Sequence, residues 1–294
     1  MWKSKEEILA LMGQNQVPGL AAARFVGGRP LGFAYYGGAR EGQLFEAASL
    51  TKPVFTLALI RSGLFDLDRP VCSYFDEVIS EDPRVSRITP RMLLSHSGGF
   101  ENWAKKPLDI HFEPGEGFLY SGEGYHWLQR ACPVPLDELC RTYVLEPFGM
   151  EDARMGWTED LAPRIPVAVD KDGVPQPKRS KPALNAAYSM HTTLTDYAKF
   201  LAGLFAAPEY PLMKTPQSRL NADIEWGLGL GLYDGLVWHW GDNGCFKALF
   251  ALTETGDGAV MFTNGEGGLY VCCDLMEAVL GRSLAPIRKY IITD

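Results

Sequence analysis

Ser49 and Lys52 stand three residues apart in "FEAASLTKPVF", residues 45–55, just ahead of an apolar run. A serine hydroxyl is a poor nucleophile until something takes its proton. A lysine amine can take it if burial or a cationic neighbour keeps the amine neutral near pH 7. Three residues are nearly one helical turn, so the two side chains would share a face. Ala47 and Ala48 precede the serine, and Pro53 follows the lysine, where a first-turn proline is tolerated. The same residues also describe an ordinary helix start with a solvated lysine. Chance alone supplies about one Ser-x-x-Lys in a chain of this length at average residue usage.

Two further segments carry groups that could move protons. In "PGEGFLYSGEGYHW", residues 114–127, Tyr120 ends a short apolar, strand-like piece that runs into a Ser-Gly-Glu-Gly turn. A phenol presented there could relay a proton between nucleophile and leaving group, or it could simply pack on the helix that follows. In "WHWGDNGCF", residues 238–246, His239 and Trp240 lie in a β-run ending at Gly241, where a missing Cβ would let a substrate lie against the backbone. A lone histidine among tryptophans is more often structural than catalytic. The chain has no Gly-x-Ser-x-Gly elbow, no His-Glu-x-x-His and no Walker loop.

Taken in order, these segments resemble the serine β-lactamase and penicillin-binding-protein superfamily, on its class C side, which includes carboxylesterases and D-amino-acid peptidases. That family carries Ser-x-x-Lys, then Tyr-x-Asn or Tyr-Ser-x, then Lys-Thr-Gly or His-x-Gly. Here they read Ser49/Lys52, Tyr120-Ser121-Gly122 and His239-Trp240-Gly241. "VPGLAAARF" is similar to the family's first strand and "RMLLSHSGGF" to its Leu-Leu-x-His-x-Ser-Gly segment. "LEPFGMEDARM", "AAYSMHTTLTDYAKFL" and "WGLGLGL" fall where counterparts are expected.

The resemblance implies acyl transfer through Ser49, with Lys52 and Tyr120 accepting and relaying its proton and His239 as a further catalytic candidate. It implies an oxyanion hole from backbone N–H groups at Ser49 and Asp242, with Gly122, Trp240 and Gly241 lining the substrate. It calls for no metal or organic cofactor. Gly122 departs from the asparagine usual in β-lactamases and peptidases, and His239 replaces the lysine of Lys-Thr-Gly. An esterase-like hydrolase of small esters is therefore the leading expectation. A D-aminopeptidase, an amidase or a weak β-lactamase is the alternative within the same chemistry. A non-catalytic binding or sensor protein on this fold is the other class, and it would be expected to have lost one of the three reactive residues.

The elements that must hold these residues can be read along the 294 residues. An amphipathic helix opens the chain, and "GLAAARFVGGRPLGFAYYGG" reads as two strands turning at Gly27-Gly28. The helix carrying Lys52 stops at Gly63. Helical pieces broken by Pro and Gly fill residues 64–190, with a small hairpin at Asp172-Gly173 and a basic, Pro-rich loop to Pro182. A helix capped by Thr193 or Thr195 follows, then strands from residue 226 and a last helix over "GLYVCCDLMEAVLGRS". The expected fold is α/β (α+β): an antiparallel sheet built from both termini (1–48 and 191–294), flanked by helices. A mostly helical subdomain (49–190) is inserted, with the active site at the interface.

Composition is that of a globular protein, with 46% apolar and 22% charged residues. A net charge of −8 makes nucleic acid an unfavourable partner. No segment approaches the roughly 18 uninterrupted apolar residues of a membrane span, and the first 20 residues lack the pattern of a secretory signal. The six cysteines lack Cys-x-x-Cys spacing and read as reduced, and Cys272 and Cys273, adjacent in an apolar run, read as buried thiols. These features together imply a cytoplasmic protein, and the resemblance implies that its partner is a small-molecule ester, amide or β-lactam substrate.

Overall fold

The computed structural model describes residues 3–77, 79–178 and 183–292. The end of the basic, Pro-rich loop, 179–182, lies outside the described residues. The first half of the chain runs α1 (Lys5–Gln14), β1 (Gly19–Val26), β2 (Arg29–Gly37), β3 (Phe45–Glu46) and α2 (Thr51–Ser62). Next come α3 (Pro90–Leu94), α4 (Gly122–Ala131), α5 (Leu136–Cys140), and the short strands β4 (Ala168–Val169) and β5 (Pro175–Gln176). β6 (His191–Thr192), α6 (Leu194–Ala206), α7 (Tyr210–Met213), β7 (Ser218–Arg219), β8 (Glu225–Trp226) and β9 (Gly231–Tyr233) follow. The chain closes with β10 (Leu236–Asp242), β11 (Lys247–Thr253), β12 (Gly258–Thr263), α8 (Gly268–Leu280) and α9 (Ala285–Ile291).

Eight of these strands form one antiparallel sheet in the order β2-β1-β12-β11-β10-β9-β8-β7. Its N-terminal hairpin joins the C-terminal strands through β1 and β12, with Leu20 opposite Thr263 and Phe25 opposite Gly258. The expected sheet from both termini is therefore present, with helices on both faces. Alternation sorts the side chains. Leu20, Ala22, Leu249, Ala251 and Met261 face α1, α8 and α9, among them Ile8, Cys272 and Ile287. Ala21, Phe25, Phe250, Val260 and Phe262 face the other side, against Phe55, Tyr197 and Phe200. Helices on both faces explain why β11 and β12 read as near-continuous apolar runs. Truncating a fully buried ring such as Phe250 would cost about 3–5 kcal/mol.

The helix that carries Lys52 is central. Every residue of α2 from Thr51 to Leu59 is buried, which is the pattern of a helix enclosed on all sides. It ends where the sequence predicts, at Gly63 with φ +64°, a left-handed cap that glycine adopts without a Cβ clash. Thr193 caps α6, its hydroxyl accepting from the Asp196 N–H. Cys140, Cys272 and Cys273 are buried thiols, whereas Cys72 is exposed. Among the described residues no helix is long and apolar enough to cross a membrane.

Candidate active site

Ser49 sits in a 3-10 turn, Ala48–Leu50, that feeds directly into α2. The residue before it, Ala48, is held at φ +49°, a left-handed conformation that costs a non-glycine residue about 1–2 kcal/mol. The surroundings fix this turn. The Thr51 hydroxyl donates to Ala48 O at 2.6 Å and accepts from the Met190 N–H at 3.2 Å. The Ala47 N–H donates to Met190 O at 2.8 Å, and the Tyr197 hydroxyl donates to Leu50 O at 3.0 Å. Gly241 lets β10 press against the same turn, since a Cβ there would lie 2.5 Å from Ala47 O. A neighbour that needs this glycine is thus the Ser49 turn itself, which its position in the sequence does not reveal.

Lys52 is fully buried. Its Nζ lies 3.0 Å from Ser49 Oγ and donates to Ala187 O at 2.9 Å. Burial holds the amine well below the usual lysine range. The turn spacing read from the sequence does bring the two side chains together, and the lysine is not solvated.

Tyr120 lies in an extended loop rather than a strand, immediately before α4. Its ring lies 4.8 Å from Lys52 Nζ. Burial pushes the phenol well above its ordinary pKa, and the Ser49 hydroxyl is near enough to oppose that shift. The Tyr120 hydroxyl closes no hydrogen bond of standard geometry and is buried without a partner. At neutral pH it is a phenol, not a phenolate.

His239 does not reach the cleft. It is completely buried, its ring stacked on Trp240 with centroids 5.3 Å apart and set 6.3 Å from Tyr120. Its Nδ1 lies 2.8 Å from Trp240 O. A carbonyl only accepts, so the ring proton sits on Nδ1 and Nε2 is a bare lone pair. Burial first, and Lys52 second, push the imidazole down to about 3 against the opposing Trp240 carbonyl. It is a neutral residue beneath the reactive groups.

β10 supplies the remaining backbone. It pairs with β9 only over Leu236–Trp238, so its outer edge from His239 onward faces the Ser49 turn. The Asn243 N–H donates to Phe246 O, and N–H groups alternate sides along an antiparallel ladder. The Asp242 N–H is therefore turned away from β11, toward that turn. The Ser49 N–H lies in the first turn of its helix, where no intrahelical acceptor precedes it.

These groups open into a cleft of about 550 Å³ lined by Ser49, Tyr120, Trp240, Asp242, Asn102, Trp103, Tyr188, Asn243 and Gly244. Gly122 lies beside it, at the start of α4, where a Cβ would meet the Trp103 ring at 2.4 Å. Trp103 packs edge-on against Tyr188 at 5.2 Å and is itself half exposed. Asp242 is the one charged residue in that lining, and Lys247 pairs with it at 2.6 Å. A second cleft of about 510 Å³, between Asp137 and Met155, contains none of the candidate residues. Asn102, Trp103, Tyr188 and Asn243 were not singled out from the sequence. They sit in loops whose approach to Ser49 is set by tertiary packing, and no local pattern announces it.

A family model described as Beta-lactamase matches residues 5–272, nearly the whole chain. The chain belongs to the beta-lactamase family. Its curated relatives are distant. A penicillin-binding protein of Bacillus subtilis (strain 168) is 28% identical over 145 residues, 40% of this chain and 31% of that protein. The esterase EstB of Burkholderia gladioli is 28% identical over 185 residues, 48% of this chain and 45% of that protein. The chain thus spans less than half the length of these relatives. Solved structures show the same fold. A penicillin-binding protein homologue from Pyrococcus abyssi superposes with TM-score 0.80 at 21% identity, over 95% of this chain and 77% of that one. The D-alanine carboxypeptidase AmpC from Burkholderia cenocepacia superposes with TM-score 0.79 at 19% identity, over 94% and 97%.

Proposed function

We propose that this protein is a serine hydrolase that acts through an acyl-enzyme on Ser49 and prefers small, uncharged esters. The observation that carries the reaction type is the buried amine of Lys52, 3.0 Å from Ser49 Oγ with a carbonyl as its other partner. A lysine kept neutral by burial holds a lone pair ready for the serine proton. Lys52 therefore serves as the base, because Tyr120 is a neutral phenol, whose oxygen is far less basic than a neutral amine.

In the proposed course Ser49 Oγ attacks the substrate carbonyl carbon as its proton passes to Lys52 Nζ. The carbonyl oxygen becomes an oxyanion, accepting from the Ser49 and Asp242 N–H groups. As the tetrahedral species collapses, Tyr120 gives its phenolic proton to the departing alkoxide and is reprotonated from the Lys52 ammonium. Water then attacks the acyl-enzyme, with the same groups returning the proton to Ser49. His239 takes no proton in this scheme; it packs beneath Tyr120 and Trp240.

The ester preference rests on the walls of the cleft. Gly122 offers no side-chain amide to a substrate amide, and the Trp103 ring occupies the space above it. A buried amide left unpaired costs about 1–3 kcal/mol. The only charged residue in the described lining is an already paired aspartate, which gives no attraction to the carboxylate of a β-lactam or a peptide C-terminus. The match to the esterase EstB supports the same reading.

The test has two parts. Wild type treated with a fluorophosphonate should gain one adduct by intact mass, and Ser49→Ala should gain none; an adduct on the variant sinks the nucleophile assignment. kcat/KM for a short-chain p-nitrophenyl ester should exceed that for nitrocefin by at least about tenfold, within the range of the unpaired-amide cost. Equal or better hydrolysis of nitrocefin, or of a D-amino-acid anilide, would move the assignment to a β-lactamase or a peptidase.

A further inference from the structure

We infer that His96 is the residue that positions Tyr120 for proton transfer, and this rests on the hydrolase reading above. His96 belongs to the short loop after α3, and its backbone stands at φ +58°. Both amides that flank Tyr120 end on this one residue. The Leu119 N–H donates to His96 O at 2.9 Å, and the Ser121 N–H donates to His96 Nδ1 at 3.1 Å. Between these two bonds the imidazole lies 4.2 Å from the Tyr120 ring, tilted by 37°. The loop carrying Tyr120 is thus gripped through its backbone on either side of the phenol and through the ring itself.

The grip works for only one form of the imidazole. An N–H can be accepted only by a bare ring nitrogen, so the His96 proton sits on Nε2. That Nε2–H is buried and unpartnered, as is the bare Nε2 of His239. Both rings stand 5.4 Å from Trp226 in the aromatic cluster behind the cleft. One carries a spare donor and the other a spare acceptor, in line with the tautomers their other bonds demand. His96 is only 2% exposed and does not line the cleft. It reaches the reacting groups through its neighbours, of which the Tyr120 ring, at 4.2 Å against 5.5 Å for Tyr125, is the nearer.

Two amide substitutions separate this role from simple packing. Asparagine at position 96 puts its carbonyl where Nδ1 stood and tolerates a positive φ, so it can keep the Ser121 bond. Glutamine carries its amide out toward the Nε2 position and leaves the Ser121 N–H unpaired. His96→Asn should keep kcat for a p-nitrophenyl ester within a few-fold of wild type. His96→Gln should lower kcat by roughly ten- to a hundred-fold with KM little changed, the range expected when a reacting group is misplaced by up to about 1 Å. In a Tyr120→Phe background the two substitutions should be nearly equivalent, because the group they position is gone. Thermal melts establish that each protein is folded, and His96→Ala replaces a glutamine variant that is not.

Equal losses in the Asn and Gln variants would overturn the inference, as would a Gln penalty that persists in full without the phenol. So would wild-type kcat in His96→Gln. A wild type that neither turns over the ester nor takes a fluorophosphonate would instead remove the hydrolase reading, and the role of His96 with it.

Discussion

Gly241→Ala tests whether the Ser49 turn is held as tightly as its packing implies. The new Cβ would lie 2.5 Å from Ala47 O and 3.2 Å from the Ala48 Cβ, where ordinary contact begins at 3.4 Å. The backbone at Gly241 is not left-handed, so alanine is opposed by the neighbouring turn and not by its own conformation. Relief requires the turn and β10 to separate by about 0.9 Å. Ser49 follows directly after the residues that must yield, and it sits 3.0 Å from Lys52 Nζ. A displacement of that size uses up the margin before the hydrogen bond is lost, since polar contacts beyond about 3.5 Å no longer qualify. It also moves the Asp242 N–H relative to Ser49. Misplacement by about 1 Å costs up to roughly a hundredfold in rate, while overpacking costs about 1–3 kcal/mol of stability. The assay is the rate of Ser49 acylation by a fluorophosphonate, followed by intact mass, on protein shown to be folded by circular dichroism. A folded variant acylated within threefold of the wild-type rate would refute the reasoning, because the turn would then be free to accommodate a methyl group.

Lys52→Ala and Tyr120→Phe should each lower kcat by about two to four orders of magnitude, the range for positioned acid–base groups, and the double variant should be little worse than either; additive losses would show two separate proton paths. Gly122→Asn alone should reduce turnover of every substrate, because its side chain must displace the Trp103 ring. Combined with Trp103→Ala it should shift the kcat/KM ratio toward nitrocefin by about tenfold, and an unchanged ratio would remove the proposed basis of ester preference. The protein should also be acid-sensitive through His239. That group is held at about 3 in the folded state against an ordinary value of 6.5, so below pH 6.5 the unfolded chain binds the extra proton and stability falls as the pH drops toward 3. The slope is about 1.4 kcal/mol per pH unit for each such histidine. Urea midpoints at pH 7, 5.5 and 4.5 should show a shallower fall in His239→Leu than in wild type, and parallel curves would contradict the assignment.

Much of the scaffold was legible because it is written locally. The Gly27-Gly28 turn between β1 and β2, the glycine stop at Gly63 and the threonine cap of α6 each follow from residues adjacent in the chain. The Ser49–Lys52 approach was legible for the same reason, since one helical turn brings them together. What the sequence left open is non-local. The Tyr120 segment resembled a strand because its apolar run is short and bounded by glycines, but it finds no ladder partner and serves as a clasped loop. His239 has no place inside or outside the cleft that the sequence alone fixes, because it depends on the pairing of β10 with β9 ending at Trp238 and on the ring turning under Trp240. The part played by Gly241 in seating the Ser49 turn was hidden because its crowding neighbour, Ala47, is about two hundred residues away. Trp103 covers Gly122 only because a loop with a positive φ at Trp103 folds back over α4, and no periodicity predicts that.

The Lys52–Ala187 hydrogen bond joins residues 135 positions apart, and this separation gives the site a history as well as a shape. While the chain is being made, α2 emerges long before the segment that will enclose its lysine. At about 5–20 residues per second that interval lasts roughly 7–27 s, and β10 arrives later still. Throughout it Lys52 stands in water, where its amine is protonated, and Ser49 is an ordinary hydroxyl. On the proposed mechanism the nascent chain lacks the neutral amine that would activate Ser49, and acylation of Ser49 would become available only once Ala187 and β10 have closed around α2.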